Sequence, residues 1–83
     1  MEYNIVYKSS VKKDLRRIDR KKLPSILEDI ENILKDNPSK GKELKGEFKG
    51  LFSYRIGNFR AIYTILGNTV MVLRISHRKD AHK

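Results

Sequence analysis

The second half of the chain holds the feature that most restricts its fold. Three apolar, β-prone stretches at 51–56, 59–66 and 69–76 are separated by two residues each time, Gly57-Asn58 and Gly67-Asn68. Two-residue connections containing glycine join antiparallel strands through type II′ or I′ turns, whose twist matches that of the strands they link. A three-stranded antiparallel meander is therefore predicted, and the two similar turns mark a meander rather than a repeat architecture. So tight a loop also sets register. Ile56 should face Phe59, and Arg55 should face Arg60.

The same register sorts the faces. Phe52, Tyr54, Ile56, Phe59, Ala61, Tyr63, Ile65, Val70 and Val72 share one face, rich in large apolar groups, which should receive helices. Arg55, Arg60 and Thr64 share the other with Met71, Leu73 and Ile75, giving an open, partly apolar surface with a cationic rim. Directly opposed like charges are unfavourable by up to ~1 kcal/mol. A sheet selected for stability alone would more readily place Glu or Thr at one of the two arginine positions. Two adjacent guanidiniums can instead hold a phosphate through paired N–H donors. Both arginines splayed into water is the competing picture, and on these residues alone the two stand level. Strict alternation puts Arg74 on the helix-packed side, where an acid such as Glu28 or Glu31 would pair with it. Arg78 joins Arg55 and Arg60 only if the strand ends or bulges near Ser76-His77.

The first half supplies the helices. Met1 to Tyr7 alternates around Tyr3, Ile5 and Tyr7 and reads as a short strand, expected to join the sheet beside the last strand. Ser9 or Ser10 is placed to cap a helix carrying Val11, Leu15 and Ile18. A clearer apolar stripe follows at Leu23, Ile26, Leu27, Ile30, Ile33 and Leu34, with Pro24 in its first turn and a stop at Asn37-Pro38. The expected fold class is α+β: a two-helix hairpin packed on one face of a small, mainly antiparallel sheet. The element order is β-α-α-β-β-β, in a single domain spanning 1–83.

Charge narrows the partners. Lys and Arg number 19 against 10 acids, a formal +9, which favours encounter with polyanions. Nine of the ten acids lie between Glu2 and Glu47. None occurs from Phe48 to Lys79, where Lys49, Arg55, Arg60, Arg74, Arg78 and Lys79 all fall. An anionic ligand is expected for that group. There is no cysteine, which suits a reducing compartment. No leader with a charged and then apolar region opens the chain, and no apolar run is long enough to span a bilayer. The expectation is a cytoplasmic protein with no membrane partner.

Most catalytic constellations are missing. His77 and His82, with Asp80 nearby, do not have metal-site spacing, so no metal and no cofactor is expected. There is no phosphate loop, dinucleotide fingerprint, Ser/His/Asp set or carboxylate pair. Cations plus imidazole remain, and they suit cleavage of RNA by its own 2′-hydroxyl. That reaction needs a proton acceptor, charge neutralisation at the phosphate and a proton donor to the leaving 5′-oxygen. By composition alone, a non-catalytic RNA- or DNA-binding surface is at least as well supported.

Three strings carry a family resemblance: Leu44-Lys45-Gly46, the run Tyr54-Arg55-Ile56-Gly57-Asn58-Phe59-Arg60-Ala61-Ile62-Tyr63, and His77-Arg78-Lys79-Asp80-Ala81-His82. Together with the front strand and helix hairpin, they resemble the RelE/ParE superfamily of toxins over the whole chain, and the RelE-like branch most. The resemblance implies a ribosome-dependent mRNA endoribonuclease that cuts in the A site without metal. The alternatives are a ParE-like inhibitor of DNA gyrase and an inactive binding relative. It also implies a RelB-like antitoxin as partner, with operator DNA bound only through the antitoxin complex. Carried over by position, Arg60 would contact the scissile phosphate, Arg78 would stabilise the transition state and His82 would act as acid or base. Arg55 would flank the phosphate, with Lys45, Lys49 and Lys79 as further RNA-binding cations. Ser53 stands where some relatives carry a catalytic lysine. His77 is expected to be structural, orienting the C-terminal tail.

Overall fold

The computed structural model describes residues 3–77, the side chain of Phe48 aside. Along the chain lie β1 (Asn4–Tyr7), α1 (Ser9–Arg16), α2 (Leu23–Asp36), β2 (Lys42–Glu43), β3 (Leu51–Ile56), β4 (Phe59–Leu66) and β5 (Thr69–His77), with single 3₁₀ turns at Pro38–Lys40 and Gly46–Phe48. The last three strands are the expected meander, and Arg55 opposes Arg60 as Ile56 opposes Phe59. Gly57 and Gly67 have φ of 57° and 60°, and no other residue type among those described has positive φ. Type I′ needs positive φ at both central residues, so Asn58 and Asn68 select the II′ alternative.

The sheet has five strands in the order β1-β5-β4-β3-β2. It is mixed rather than purely antiparallel, because β1 lies parallel to β5, with Asn4 opposite Thr69 and Tyr7 opposite Val72. Parallel neighbours require a long crossover, which the helix hairpin and the meander together supply. The two-residue strand β2 on the far edge was not anticipated. Its residues Lys42 and Glu43 pair with Ser53 and Phe52.

The helices cover one face. Val11, Ile30, Leu34, Ala61, Tyr63, Val70 and Val72 are completely buried there, with Ile18, Ile26, Ile56 and Ile75 close to it. Among the described residues no helix is long and apolar enough to cross a membrane. Tyr63 is the largest of the buried side chains and stacks on Phe52 at 5.5 Å between ring centroids. Its hydroxyl donates to the Pro38 carbonyl and accepts from the Gly41 N–H at 3.1 Å. A Cβ at Gly41 would fall 2.2 Å from that hydroxyl oxygen, so only glycine allows the approach.

Two expectations are corrected at β5. Ile62 pairs with Arg74, whereas Tyr63 pairs with Val72, leaving Leu73 as an extra residue. One inserted residue reverses the facing of everything beyond it. Ile75, assigned to the open face by strict alternation, is 1% exposed in the core. Arg74, assigned to the helix-packed side, is exposed. The irregularity in β5 lies at Leu73 rather than near Ser76-His77, and Arg78 itself falls outside the described residues.

The expected serine cap is also absent. Lys8 occupies the N-cap position of α1 with no side-chain hydrogen bond. Ser10 directs its hydroxyl elsewhere, to the Leu73 carbonyl at 2.6 Å. β1 pairs with β5 only as far as Val72, and α1 takes over that edge from there. Ser10 satisfies Leu73, and one helical turn later Asp14 accepts from the Ile75 N–H at 3.0 Å.

Candidate functional site

α1 brings an acid to the sheet edge. Val11, Asp14, Leu15 and Ile18 follow the i, i+3, i+4, i+7 stripe that faces the core, so Asp14 is 8% exposed despite its charge. A buried carboxylate needs a partner. Arg74 provides one through a two-pronged contact, Nε to Oδ2 at 2.8 Å and Nη2 to Oδ1 at 3.0 Å. The partner is thus Asp14, not Glu28 or Glu31, because the bulge carries Arg74 away from the α2 side. Burial pushes the Asp14 carboxyl up. The Arg74 hydrogen bonds, the Ile75 N–H and the charges of Arg74 and Arg17 outweigh it, leaving the group below the usual carboxylate range. Arg74 is held above its ordinary value by the same contact.

Beside this junction opens a groove of about 990 Å³. Its apolar floor comes from Leu44, Leu51, Ile62 and Leu73. Arg60, Arg74 and His77 line it from the sheet, and Arg17 and Lys22 from the end of α1 and the turn to α2. Arg60 lies opposite Ser76 and Arg74 opposite Ile62, so the two arginines are diagonal neighbours on one face. They differ in charge balance: Asp14 neutralises Arg74, whereas no carboxylate is bonded to Arg60 among the described residues. His77 stands edge-on to Phe59, with centroids 5.3 Å apart, at the end of the described strand.

The sequence-predicted residues separate into three groups. Arg60 is half-buried in the groove wall, with Arg55 exposed beside it at the rim. Lys45 and Lys49 are exposed at either end of the Gly46–Phe48 turn and do not line the groove. That turn adjoins the Leu51 end of β3, four residues or about 13 Å from Arg55. Arg78, Lys79 and His82 lie outside the described residues. Arg17 and Lys22 escaped sequence reasoning because they belong to a helix end and a turn, whose position over the sheet depends on packing. Asp14 was detectable: an acid within the Val11, Leu15 and Ile18 stripe announces a buried partner.

The groove is also lined by Asp14, spent on Arg74, and by Asp19, but it offers an anion the Arg60 guanidinium, to which no carboxylate is bonded among the described residues, with Arg17, Lys22 and an apolar floor. These are the elements of a site for a phosphodiester with attached bases. Sequence comparison gives the geometry a family context. Residues 5–82 match the profile described as ParE toxin of type II toxin-antitoxin system, parDE. The chain is 31% identical over 86 residues to Toxin RelG of Mycobacterium tuberculosis, covering all of this chain and 99% of that one. Its fold superposes on the RelBE2 toxin-antitoxin complex of M. tuberculosis with a TM-score of 0.88 at 31% identity, covering 94% and 93% of the two chains. The RelB-RelE complex of Methanococcus jannaschii gives 0.68 at 26% identity, covering 93% and 94%.

Proposed function

The chain belongs to the ParE toxin family of type II toxin-antitoxin systems, and from that premise we propose that it is a ribosome-dependent mRNA endoribonuclease. One observation carries the proposal. Arg60, on β4 opposite Ser76 near the end of β5, is half-buried in the wall of an apolar-floored groove, and no carboxylate is bonded to it among the described residues. A gyrase inhibitor acting by binding alone has no need of such a group.

In the proposed reaction the 2′-oxygen of the nucleotide before the cut attacks phosphorus. The P–O2′ bond forms, the P–O5′ bond breaks, and the products are a 2′,3′-cyclic phosphate and a 5′-hydroxyl. Arg60 and Arg78 neutralise the charge that builds on the non-bridging oxygens, which is where preorganised donors contribute most. Two protons move: one leaves the 2′-hydroxyl and one reaches the departing 5′-oxygen. His82 makes one of these transfers, a role imidazole fills as acid or base near neutral pH, and solvent water makes the other. After the Leu73 bulge, Ser76 shares the Arg60 face and His77 the Phe59 face; the role given to Arg78 rests on the family resemblance. Arg55, Lys45, Lys49 and Lys79 serve as RNA-backbone contacts outside the reacting phosphate. A RelB-like antitoxin is the proposed partner, because the superposed M. tuberculosis and M. jannaschii structures are toxin-antitoxin complexes. The proposed setting is the cytoplasm, where ribosomes are.

Inhibition of DNA gyrase is the second possibility, favoured by the parDE description of the matching profile. Adding the purified protein to programmed ribosomes and, separately, to gyrase with supercoiled DNA decides between them. Cleaved mRNA ending in a 2′,3′-cyclic phosphate is the expected result, lost on Arg60→Ala. Gyrase inhibition with intact mRNA would overturn it.

A further inference from the structure

The groove uses few of the chain's cations. Residues 8–22 contain eight of them against two acids, which places +6 of the chain's +9 in this short segment. Every one of the eight is exposed. The two acids leave most of this charge in place: Asp14 is turned inward to Arg74 and the Ile75 N–H, and Asp19, which accepts from the Lys21 backbone N–H at 3.0 Å, is a single charge among the eight.

Their spacing matters as much as their number. Lys8, Lys12 and Arg16 succeed one another at i, i+4, with Lys13 and Arg17 in an adjacent row, about 6 Å apart along the axis. Like charges at this spacing destabilise a helix. The strain is greatest at the start of α1, where Lys8 occupies the N-cap and the first turn contains no acid to favour the dipole. α1 therefore maintains internal repulsion that a single Glu would relieve. A polyanion laid along the exposed face would relieve it equally.

We propose that the exposed face of α1 is a second RNA-binding surface, seating the backbone of a structured, base-paired RNA beside the cleavage groove. Arg17 and Lys22 belong to both surfaces and make them continuous. The apolar face of α1 is spent in the core through Val11, Leu15 and Ile18, leaving none to enter a bilayer, as an interfacial helix must. A convex ridge of long cationic side chains suits the wide, shallow minor groove of an A-form duplex, with phosphates within reach on both sides. The choice of RNA over other polyanions rests on the proposed ribosomal function; the surface itself rests on the charge pattern.

Lys12→Glu tests the surface through two quantities that should move in opposite senses. It converts the Lys8–Lys12 and Lys12–Arg16 repulsions into attractions, so the Tm of the free protein should rise by a few degrees. Affinity for an RNA hairpin should fall about tenfold, and the slope of log affinity against log salt should shrink by about 1. The hairpin should also raise the wild-type Tm more than a DNA hairpin of the same sequence, polyglutamate or phosphatidylserine vesicles. Unchanged RNA affinity in Lys12→Glu would overturn the surface. Equal stabilisation by any of the other polyanions would overturn its assignment to RNA. Binding and melting are read without cleavage, so the outcome stands apart from whether the chain cuts mRNA.

Discussion

Arg74 and Arg60 are diagonal neighbours on the same sheet face, yet their surroundings give them opposite jobs. Arg74 is held by a carboxylate that is buried and itself caps a backbone N–H. Its charge is spent inside the molecule. Arg60 has no carboxylate bonded to it among the described residues and faces the groove with its charge available. A cation in a groove is thus not by itself a ligand-binding group; the acid beside it decides.

The difference between the two arginines should be largest in cleavage. Arg60→Ala should lower mRNA cleavage by about 10²–10³-fold, the usual loss on removing a preorganised charge-stabilising donor, while Tm stays within a degree or two. A large fall in Tm would place Arg60 with Arg74 as a structural group. Asp14→Ala should do the converse, costing about 2 kcal/mol in denaturant unfolding, because the Ile75 N–H is left buried without a partner. The lost attraction to Arg74 adds little, since that side chain is 57% exposed and water takes up its charge.

Acid sharpens the same contrast. The Asp14 carboxyl lies below its ordinary value of 3.8 in the folded protein, so its contribution is complete above that pH and is lost as pH falls through the folded value. Melting curves of wild type should show this acid loss, and Asp14→Asn should show less of it. Tyr63→Phe should cost about 1 kcal/mol, by removing the hydroxyl that serves Pro38 and Gly41. Arg55→Thr should give the smallest change, a gain of less than about 1 kcal/mol from relieving the repulsion with Arg60, together with weaker RNA binding measured by salt titration.

The sequence revealed some levels of this molecule and hid others for physical reasons. A two-residue loop leaves one register, so the Arg55–Arg60 pairing is legible in the sequence. The Leu73 bulge was not, because it is imposed jointly by β4 pairing on one side of β5 and α1 on the other. That single residue misplaced Ile75 and Arg74 together. Ser10 looked like a cap because cap and edge contact demand the same hydroxyl; tertiary position decided its use. At the site, Arg60 and Arg55 followed from local turn chemistry. The opposing wall of Arg17 and Lys22 depended on how the helix hairpin settles on the sheet.

The parallel seam between β1 and β5 also bears on how the protein is made. Asn4 waits for Thr69, and Asp14 for Ile75, partners more than 60 residues later. Pairings this distant in sequence form slowly, since the chain must close a long loop before gaining the contact. Synthesis proceeds at about 5–20 residues per second, so the sheet edge of β1 and the Asp14 carboxylate of α1 wait several seconds for β5 while the meander is translated. The groove's two walls come from these two ends of the fold, and neither is complete without the other. A protein proposed to act on ribosomes therefore cannot assemble its own site until the ribosome making it has delivered the last strand.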